Sequence, residues 1–248
     1  MSATARAPAR ADSPALRLPV AILAGGLATR MKPHTDAIPK SLLDVEGRPF
    51  IFRQLDSLAE RGARKVVVCI GHMGHMIRER VGDGARFGIE VRYSDEGDRL
   101  LGTGGALRKA LPLLGDRFLV QYGDSLLEVD YRAVERAFLD SGLTGLMTVY
   151  RNEGRYDTSN VLFVDGGIRR YDKMNRVPEM RHIDYGLGGL SASAFHGVKE
   201  DTRVDLAVIY QNLLAQGELA GYEVFQRFFE IGSPAGLADA RKHFSGGV

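Results

Sequence analysis

One cysteine, no tryptophan and no long apolar run set the first limits on this chain of 248 residues. A single cysteine excludes an intrachain disulfide and suits a reducing cytosol, so the protein is expected to be cytoplasmic. That cysteine, Cys69, stands inside Val66-Val-Val-Cys-Ile70, the sequence of a buried strand, and is assigned to packing rather than redox work. No stretch approaches the roughly 18 apolar residues needed to span a bilayer. Charge of one sign is lacking too: 33 Lys and Arg stand against 31 Asp and Glu, a formal net charge of +2. No global field favours nucleic acid or an anionic membrane, so any phosphate must be met by a local cluster. Residues 1–17 have no continuous apolar segment of the kind a secretory signal needs. They are rich in Ala, Arg, Pro and Ser, but Asp12 and three prolines by position 19 argue against a transit peptide. They are expected to be a disordered tail ahead of one domain over 18–248.

Familiar phosphate motifs are absent as well. Gly25-Gly26-Leu-Ala-Thr-Arg30 does not supply G-x-G-x-x-G, and no G-x-x-x-x-G-K-[ST] is present. The pair His72 and His75 lacks a third ligand at usable spacing, which favours ordinary turn or helix-start histidines over a metal site. No repeat of fixed period occurs, and no hexapeptide repeat closes the chain.

What the sequence does contain is an alternation of strand and helix patterns from residue 18 to about 145. Strands are expected at Val20–Leu23, Val66–Ile70, Ile89–Tyr93 and Phe118–Tyr122. Helices are expected at Pro49–Arg61, Gly105–Leu114 and Tyr131–Ser141. From residue 146 the signals shorten. Leu146–Tyr150, Val161–Val164, Ile168–Tyr171, Tyr185–Ala194 and Tyr222–Phe225 read as strands. Asp165-Gly166-Gly167 is a hairpin turn. Asp205–Gln216 reads as a helix, and Ser233-Pro234 as the cap of a last one. A nucleotide-binding half over about 18–145 and a mixed half over about 146–248 are thus expected in one α/β domain. The basic run Arg78–Arg80 reads as a solvated helix face.

The most informative stretch is Leu23-Ala-Gly-Gly-Leu-Ala-Thr-Arg30 followed by Ile38-Pro-Lys-Ser41. A buried strand breaks into two glycines and then delivers two cations. Glycines let backbone N–H groups approach a phosphate or base edge closely, and Arg30 and Lys40 answer polyphosphate charge. A tight strand-to-helix turn alone would explain the glycines, but not the cations in step with them. Farther on, Tyr122-Gly123-Asp124 ends a predicted strand, and in an open parallel sheet that end faces the ligand crevice. A carboxylate there can hold Mg²⁺, which keeps several waters and uses only one or two protein carboxylates.

Leu23–Arg30 with Pro39-Lys40 resembles the L-A-G-G-x-G-T-R and x-P-K motif of the sugar-1-phosphate nucleotidyltransferases. One position departs: the family's third glycine is Ala28, and alanine at positive φ costs roughly 1 kcal/mol. The resemblance covers nearly all of 18–245. It implies a Rossmann-like fold, with a mixed, mostly parallel central sheet flanked by helices. Its implied substrates are a nucleoside triphosphate and a sugar 1-phosphate, and its implied cofactor is Mg²⁺. Carried over residue by residue, it places Arg30 and Lys40 on the reacting phosphates and Asp124 on the metal. Leu23, Ala24, Gly25, Gly26 and Thr29 would line the nucleotide, joined by Gly71 and His72 at the next strand end. Leu101-Gly-Thr-Gly-Gly-Ala106 matches the L-G-T-G/A-G-A loop, so Gly102, Thr103 and Gly104 would touch base and ribose. Asp172-Lys173 stands where the family has E-K-P, with Met174 in place of proline, and Lys173 would bind the sugar phosphate. Ile183-Asp184-Tyr-Gly186 resembles V-N-A-G, so Asp184 and Gly186 would meet the sugar. Phe228-Phe-Glu230-Ile-Gly-Ser-Pro234 resembles W-x-D-I-G-T-P and makes Glu230 the second metal carboxylate. Leu42-Leu-Asp-Val-Glu-Gly-Arg-Pro49 and the glycine-rich loop at 102–105 look most like the heptose- and mannose-1-phosphate guanylyltransferase branch. Uridylyl-, cytidylyl- and thymidylyltransferases, a non-sugar phosphate acceptor, and a regulatory nucleotide-sugar sensor without turnover remain open alternatives.

Overall fold

The structure is a computed structural model that describes residues 15–97 and 99–246. In chain order the elements are β1 (Val20–Leu23), β2 (Asp44–Val45), β3 (Arg48–Pro49), α1 (Phe50–Glu60), β4 (Lys65–Ile70), α2 (Gly74–Val81), β5 (Glu90–Asp95), α3 (Gly102–Leu114), β6 (Arg117–Tyr122), β7 (Ser125–Leu127), α4 (Tyr131–Ser141), β8 (Gly145–Arg151), β9 (Val161–Val164), β10 (Gly167–Tyr171), β11 (His182–Ser191), α5 (Leu206–Ala215), β12 (Leu219–Val224), β13 (Phe228–Glu230) and α6 (Pro234–Ser245). Short 3₁₀ turns at Thr29–Met31 and Lys40–Leu42 carry the two cations of the glycine loop.

The central sheet runs β5-β4-β1-β6-β11-β8-β12, with the β9–β10 hairpin joined at the start of β11. Strands β5, β4, β1 and β6 are parallel to one another, and β8 and β12 point the same way. Strand β11 is reversed, antiparallel to both β6 and β8, and β10, antiparallel to β9, runs with it. The expected mixed, mostly parallel α/β sheet is therefore present in a single domain, with helices on both faces.

Alternation along the strands feeds two cores. Val20, Ile22, Val66, Val68 and Ile70 face one core with Ile51, Leu55, Leu58, Ile77 and Val134 from α1, α2 and α4. Ala21, Val67 and Cys69 face the other, with Leu107, Ala110, Leu206 and Ile209 from α3 and α5. Both faces of β4 are thus covered, which explains its unbroken apolar run. A third, smaller core joins Met31, Val45 and Phe50 to Leu126, Phe229, Ile231 and Leu237, and docks α6 near the glycine loop.

Local chemistry sets the boundaries. Asp130, Asp205 and Ser233 cap α4, α5 and α6, accepting from Arg132 N, Ala207 N and Gly236 N respectively. Asp165 (φ 51°) and Gly166 (φ 72°) make the left-handed turn between β9 and β10. Three element starts move by three residues. Strand β12 begins at Leu219 rather than Tyr222, because it pairs with β8 from Gly145 onward. Helix α3 begins three residues earlier than Gly105, because Gly102 takes φ +71° against the Val204 carbonyl and opens the helix there. Strand β11 begins at His182 rather than Tyr185, because its first residues pair with β8 and β9.

Of the expected disordered tail, residues 1–14 lie outside the described residues. Its last residues need correction. Leu16 is buried and its N–H donates to Gly62 O (2.8 Å), and Arg17 N donates to the Glu135 carboxylate (2.8 Å). The apolar Leu16 and this buried carboxylate tie the segment to the domain.

Candidate active site

Strands β1 and β6 end side by side, with Leu23 opposite Tyr122, and the two loops that follow form the centre of a cleft. Gly123 can pass there because its Cα lies against the backbone of Leu23 and Ala24, a space no Cβ could share. Gly123 N donates to Leu23 O (3.0 Å), so the turn bearing Asp124 is tied directly to the glycine loop.

From below, the same turn is braced by α1. Gln54 is fully buried, and its amide donates to Tyr122 O (3.1 Å) and Ser125 O (2.8 Å). Gln121 adds a second donor to Ser125 O (2.7 Å) and is itself held by the Tyr131 hydroxyl (2.6 Å). From the side, Ile231 N donates to Asp124 O (2.9 Å), and β13 pairs with β7 so that Glu230 stands opposite Ser125. Two carboxylates separated by 106 positions in sequence are thereby brought to one place.

A cavity of about 390 Å³ opens over the glycine loop. Leu23, Ala24, Gly25, Gly26, Thr29, Lys40, Gly102, Thr103 and Asp124 line it. Ala28 also lines it, in the left-handed region at φ 50°, ψ 37°, so the position that departs from glycine does require positive φ. The loop holds this conformation through Ala28 O, which accepts from Met31 N (2.9 Å) and Thr35 Oγ1 (3.1 Å).

A second cavity of about 420 Å³ adjoins the first and shares Thr103, Tyr122 and Asp124 with it. Arg30, Asn160, Lys173, Asp184 and Glu230 line it together with Tyr156, Tyr185 and Phe228. Its residues come from both halves of the chain because β11 runs backwards. The register that sets Leu187 opposite Gln121 carries the start of β11 to the carboxyl ends of the parallel strands.

The charges are arranged in pairs. Lys40 Nζ donates to Asp124 Oδ2 at 2.7 Å. The Glu230 carboxylate accepts from Gly232 N and from Ser233 Oγ (2.6 Å), so it also covers the start of α6. A Cβ built on Gly232 would lie 2.7 Å from Glu230 Oε2, 3.1 Å from Asp124 Oδ2 and 3.4 Å from Arg30 Nη2. The bare glycine thus leaves the space toward which both carboxylates and the guanidinium converge. Two hard oxygen donors with room beside them suit a divalent cation that keeps its own waters. Among the described residues no group of three or more metal-ligating side chains occurs.

Asp184 is half-buried. Its Oδ2 accepts from the hydroxyls of Tyr122 (2.8 Å) and Tyr171 (3.3 Å), and its Oδ1 from Gly186 N (3.1 Å). Burial raises its carboxyl above the ordinary range, an effect that Lys173 and the Tyr122 hydroxyl oppose. Lys173 lies 3.8 Å from Asp205 and 5.8 Å from the Tyr122 ring centre.

Not every expected residue is brought in. Gly71 packs behind the loop against Gly25 O and does not line the cavity. His72 points to solvent in the turn ahead of α2. Gly104 is taken up by packing, its N–H donating to Val204 O (2.8 Å) where α3 meets the start of α5. Gly186, at φ +97°, shapes the β11 bulge beside Tyr122 and lines neither cavity. Conversely, Glu96 and Arg203 line the first cavity without having been singled out. The Glu96 carboxylate receives Leu101 N (2.5 Å) and is raised above the ordinary range by burial, although the Leu101 N–H opposes this. Neither residue has a local motif that marks it. Cys69 also borders this cavity but is 1% exposed, and burial, reinforced by the Glu96 charge, pushes its thiol up to about 12.

Residues 20–158 match the nucleotidyl transferase family, more than half of the chain. The chain belongs to that family. It is 29% identical over 228 residues to an N-acetylmuramate alpha-1-phosphate uridylyltransferase of Neisseria meningitidis, covering 89% of this chain and 95% of that protein. It is 26% identical over 219 residues to the catalytic subunit beta of a mannose-1-phosphate guanylyltransferase of Xenopus tropicalis, covering 86% of this chain but 61% of that longer protein. Among solved structures, a putative glucose-1-phosphate thymidylyltransferase from Bacillus anthracis superposes with a TM-score of 0.82 at 20% identity, over 91% of this chain and 94% of that one. At that identity the likeness establishes the nucleotidyltransferase fold. The match of the family begins at β1 and ends inside the loop after β8, so it takes in the Asp124 turn and the lining of the first cavity apart from Arg203.

Proposed function

We propose that this nucleotidyltransferase moves a nucleotidyl group from a nucleoside triphosphate to a sugar 1-phosphate and releases pyrophosphate. The observation that carries the reading is the pair of adjoining cavities that meet at Asp124, one floored by the glycine loop and the other walled by Lys173, Asn160 and Asp184. A phosphate oxygen of the acceptor attacks the α-phosphorus, and the bond to the bridging oxygen breaks, so that pyrophosphate departs with the electron pair. The attacking oxygen is already ionised at neutral pH, and no general base is required. The obstacle is repulsion between two polyanions, which positioned cations overcome.

Each residue has a part in that scheme. Backbone N–H groups of Gly25 and Gly26 and the guanidinium of Arg30 hold the triphosphate. Lys40 reaches the reacting phosphates and, before they arrive, is held in place by Asp124. Lys173 receives the acceptor phosphate, and Asp184 and Asn160 accept from or donate to the sugar hydroxyls. Asp124 and Glu230 would hold Mg²⁺, which when bound neutralises phosphate charge. Loss of one such preorganised cation is worth roughly 10²–10³ in kcat, so Arg30→Ala and Lys40→Ala should each fall by that much.

The finer reading is GTP with a mannose- or heptose-type 1-phosphate. Leu42–Pro49, the glycine-rich loop at 102–105 and the frog relative support it. A uridylyl reading is favoured by the Neisseria relative, whose length this chain nearly spans. Pyrophosphate release with Mg²⁺, crossing GTP, UTP, CTP, dTTP and ATP with a panel of sugar 1-phosphates, tests both. Release with one pair identifies the base and the sugar. Silence across the panel, with nucleotide binding still measured by calorimetry, would refute turnover on these acceptors and favour a nucleotide-sugar sensor.

A further inference from the structure

Two acidic side chains line the first cavity, Asp124 and Glu96. Asp124 is paired with Lys40, whereas among the described residues Glu96 forms no ion pair. Glu96 stands just past β5, 8% exposed, and its own N–H donates to Ile70 O (2.9 Å) at the end of β4. A carboxylate enclosed without a cation is unfavourable to the fold, so packing does not account for it.

The two oxygens of that carboxylate reach two different loops. Oε2 accepts from Leu101 N (2.5 Å). Oε1 closes on the glycine loop, where a Cβ built on Gly25 would lie 2.7 Å from it. Gly25 in turn lies against the end of β4, and the same Cβ would meet Gly71 N at 3.2 Å and Ile70 C at 3.3 Å. The side chain is therefore a spacer of fixed length between the backbone of Gly25 and that of Leu101.

Leu101 is the residue ahead of α3, and it is gripped from both sides. Glu96 takes its N–H, and Val204 N donates to its carbonyl (2.8 Å). Val204 O then accepts from Gly104 N (2.8 Å) and Gly105 N (3.2 Å). Of the four amides that open α3, those of Gly102 and Thr103 are left for a ligand, and both residues line the cavity. Position along the sheet gives the part of a nucleotide that these loops meet. The strand order is β5-β4-β1-β6, so Glu96 past β5 and Asp124 past β6 are three strand positions apart, roughly 14 Å. Lys40 and Asp124 mark the phosphate end, and Glu96 stands at the other with Cys69 and Leu100.

Resting on the nucleotide reading of this cavity, we infer that Glu96 is a positioning residue for the nucleoside end of the triphosphate. Its carboxylate presets the gap between Gly25 and Leu101 and aims the Gly102 and Thr103 amides into it. A nucleotide entering a slot already at its final width does not have to order the loop.

The test measures calorimetric binding of GTP, UTP and inorganic tripolyphosphate, and the KM for triphosphate and acceptor in turnover, for wild type, Glu96→Ala, Glu96→Asp and Glu96→Gln. Alanine loses the bond to Leu101 N, aspartate is one methylene too short to span both loops, and glutamine keeps an acceptor oxygen. Glu96→Ala and Glu96→Asp should weaken the tighter-bound nucleotide about tenfold or more, the weight of one hydrogen bond with a charged partner. Tripolyphosphate, which has no nucleoside, should stay within about twofold, and Glu96→Gln should stay within about threefold of wild type for every ligand. In turnover the loss should fall on the triphosphate KM and spare the acceptor KM. General loss of structure would instead weaken nucleotide, tripolyphosphate and acceptor together. Equal weakening of nucleotide and tripolyphosphate, or a Glu96→Gln protein as weak as Glu96→Ala, would overturn the inference. Failure of wild type to bind either nucleotide would refute the nucleotide reading and the inference together. Binding without pyrophosphate release would refute transfer alone, and the calorimetric ratios would still decide the role of Glu96.

Discussion

Replacing Gln54 by leucine should weaken the fold modestly and the chemistry severely. The side chain is fully buried, and its two amide hydrogens serve the carbonyls of Tyr122 and Ser125, the residues on either side of Gly123-Asp124. Leucine has a similar volume and no donor. Ser125 O would keep its bond from Gln121, whereas Tyr122 O would lose the Gln54 donor. A buried acceptor left without its donor costs about 1–3 kcal/mol. Against this, the Gln54 side-chain oxygen has no partner in its buried site, and its removal returns about 1 kcal/mol. The net expectation is about 0–2 kcal/mol. For a chain of this size each kcal/mol lowers Tm by about 2–4 °C, so a fall of at most about 8 °C is expected. The kinetic effect should be larger, because the relaxed turn carries the Asp124 carboxylate, and misplacement on the ångström scale costs on the order of 10²-fold. Scanning calorimetry with pyrophosphate release at 25 °C reads both quantities. A Gln54→Leu protein that melts within a degree of wild type and keeps its kcat would show that α1 does not brace this turn.

Four further expectations follow from the same geometry. Ala28→Gly should raise Tm by about 1–3 °C in thermal unfolding, since relief of the left-handed alanine, roughly 1–2 kcal/mol, exceeds the added entropy of the unfolded chain. Mn²⁺ binding followed by electron paramagnetic resonance should weaken about tenfold or more in Asp124→Asn and less in Glu230→Gln, whose carboxylate is already engaged by the start of α6; equal losses would contradict that division. Burial raises the Asp184 carboxyl, so the folded chain favours its protonated form; that contribution to stability is complete below the unfolded pKa and is lost as pH rises through the folded pKa. Asp184→Asn should therefore gain on wild type in Tm as pH rises from about 4, and a constant difference across pH would sink the argument. Cys69, its thiol pushed up to about 12, should resist a thiol-specific disulfide reagent at pH 8 in the native protein and react fully in denaturant.

How much could be read in advance differed by element for physical reasons. Strand β4 carries an unbroken apolar run and helix α4 a complete helical period, and their bounds agree with expectation to within a residue. Strands β7 and β13 are three residues each, too short for any period, and are defined only by their mutual pairing, which sets Glu230 opposite Ser125. The glycine loop was legible because close approach demands particular residue types at fixed spacing. Gln54 was not, because a buried glutamine on an otherwise apolar helix face acquires its meaning only from carbonyls about 70 positions away. Glu96 and Arg203 were silent for the same reason. Leu16 and Arg17 were placed in a tail on composition, although their partners, Gly62 and Glu135, lie far along the chain.

The reversal of β11 has a consequence for how such a protein can change over time. The ladder between β11 and β8 is interrupted between Asp184 and Gly188, whereas Leu187–Ser191 stays in unbroken register with β6. The bulge thus separates the mouth of β11 from its ladder with β6, and Asp184 is tied to that strand through the Tyr122 hydroxyl. One end of the cleft is free to drift toward new small molecules while the phosphate chemistry at the other is inherited intact, so close kin can share a catalytic engine and differ in what they load onto it.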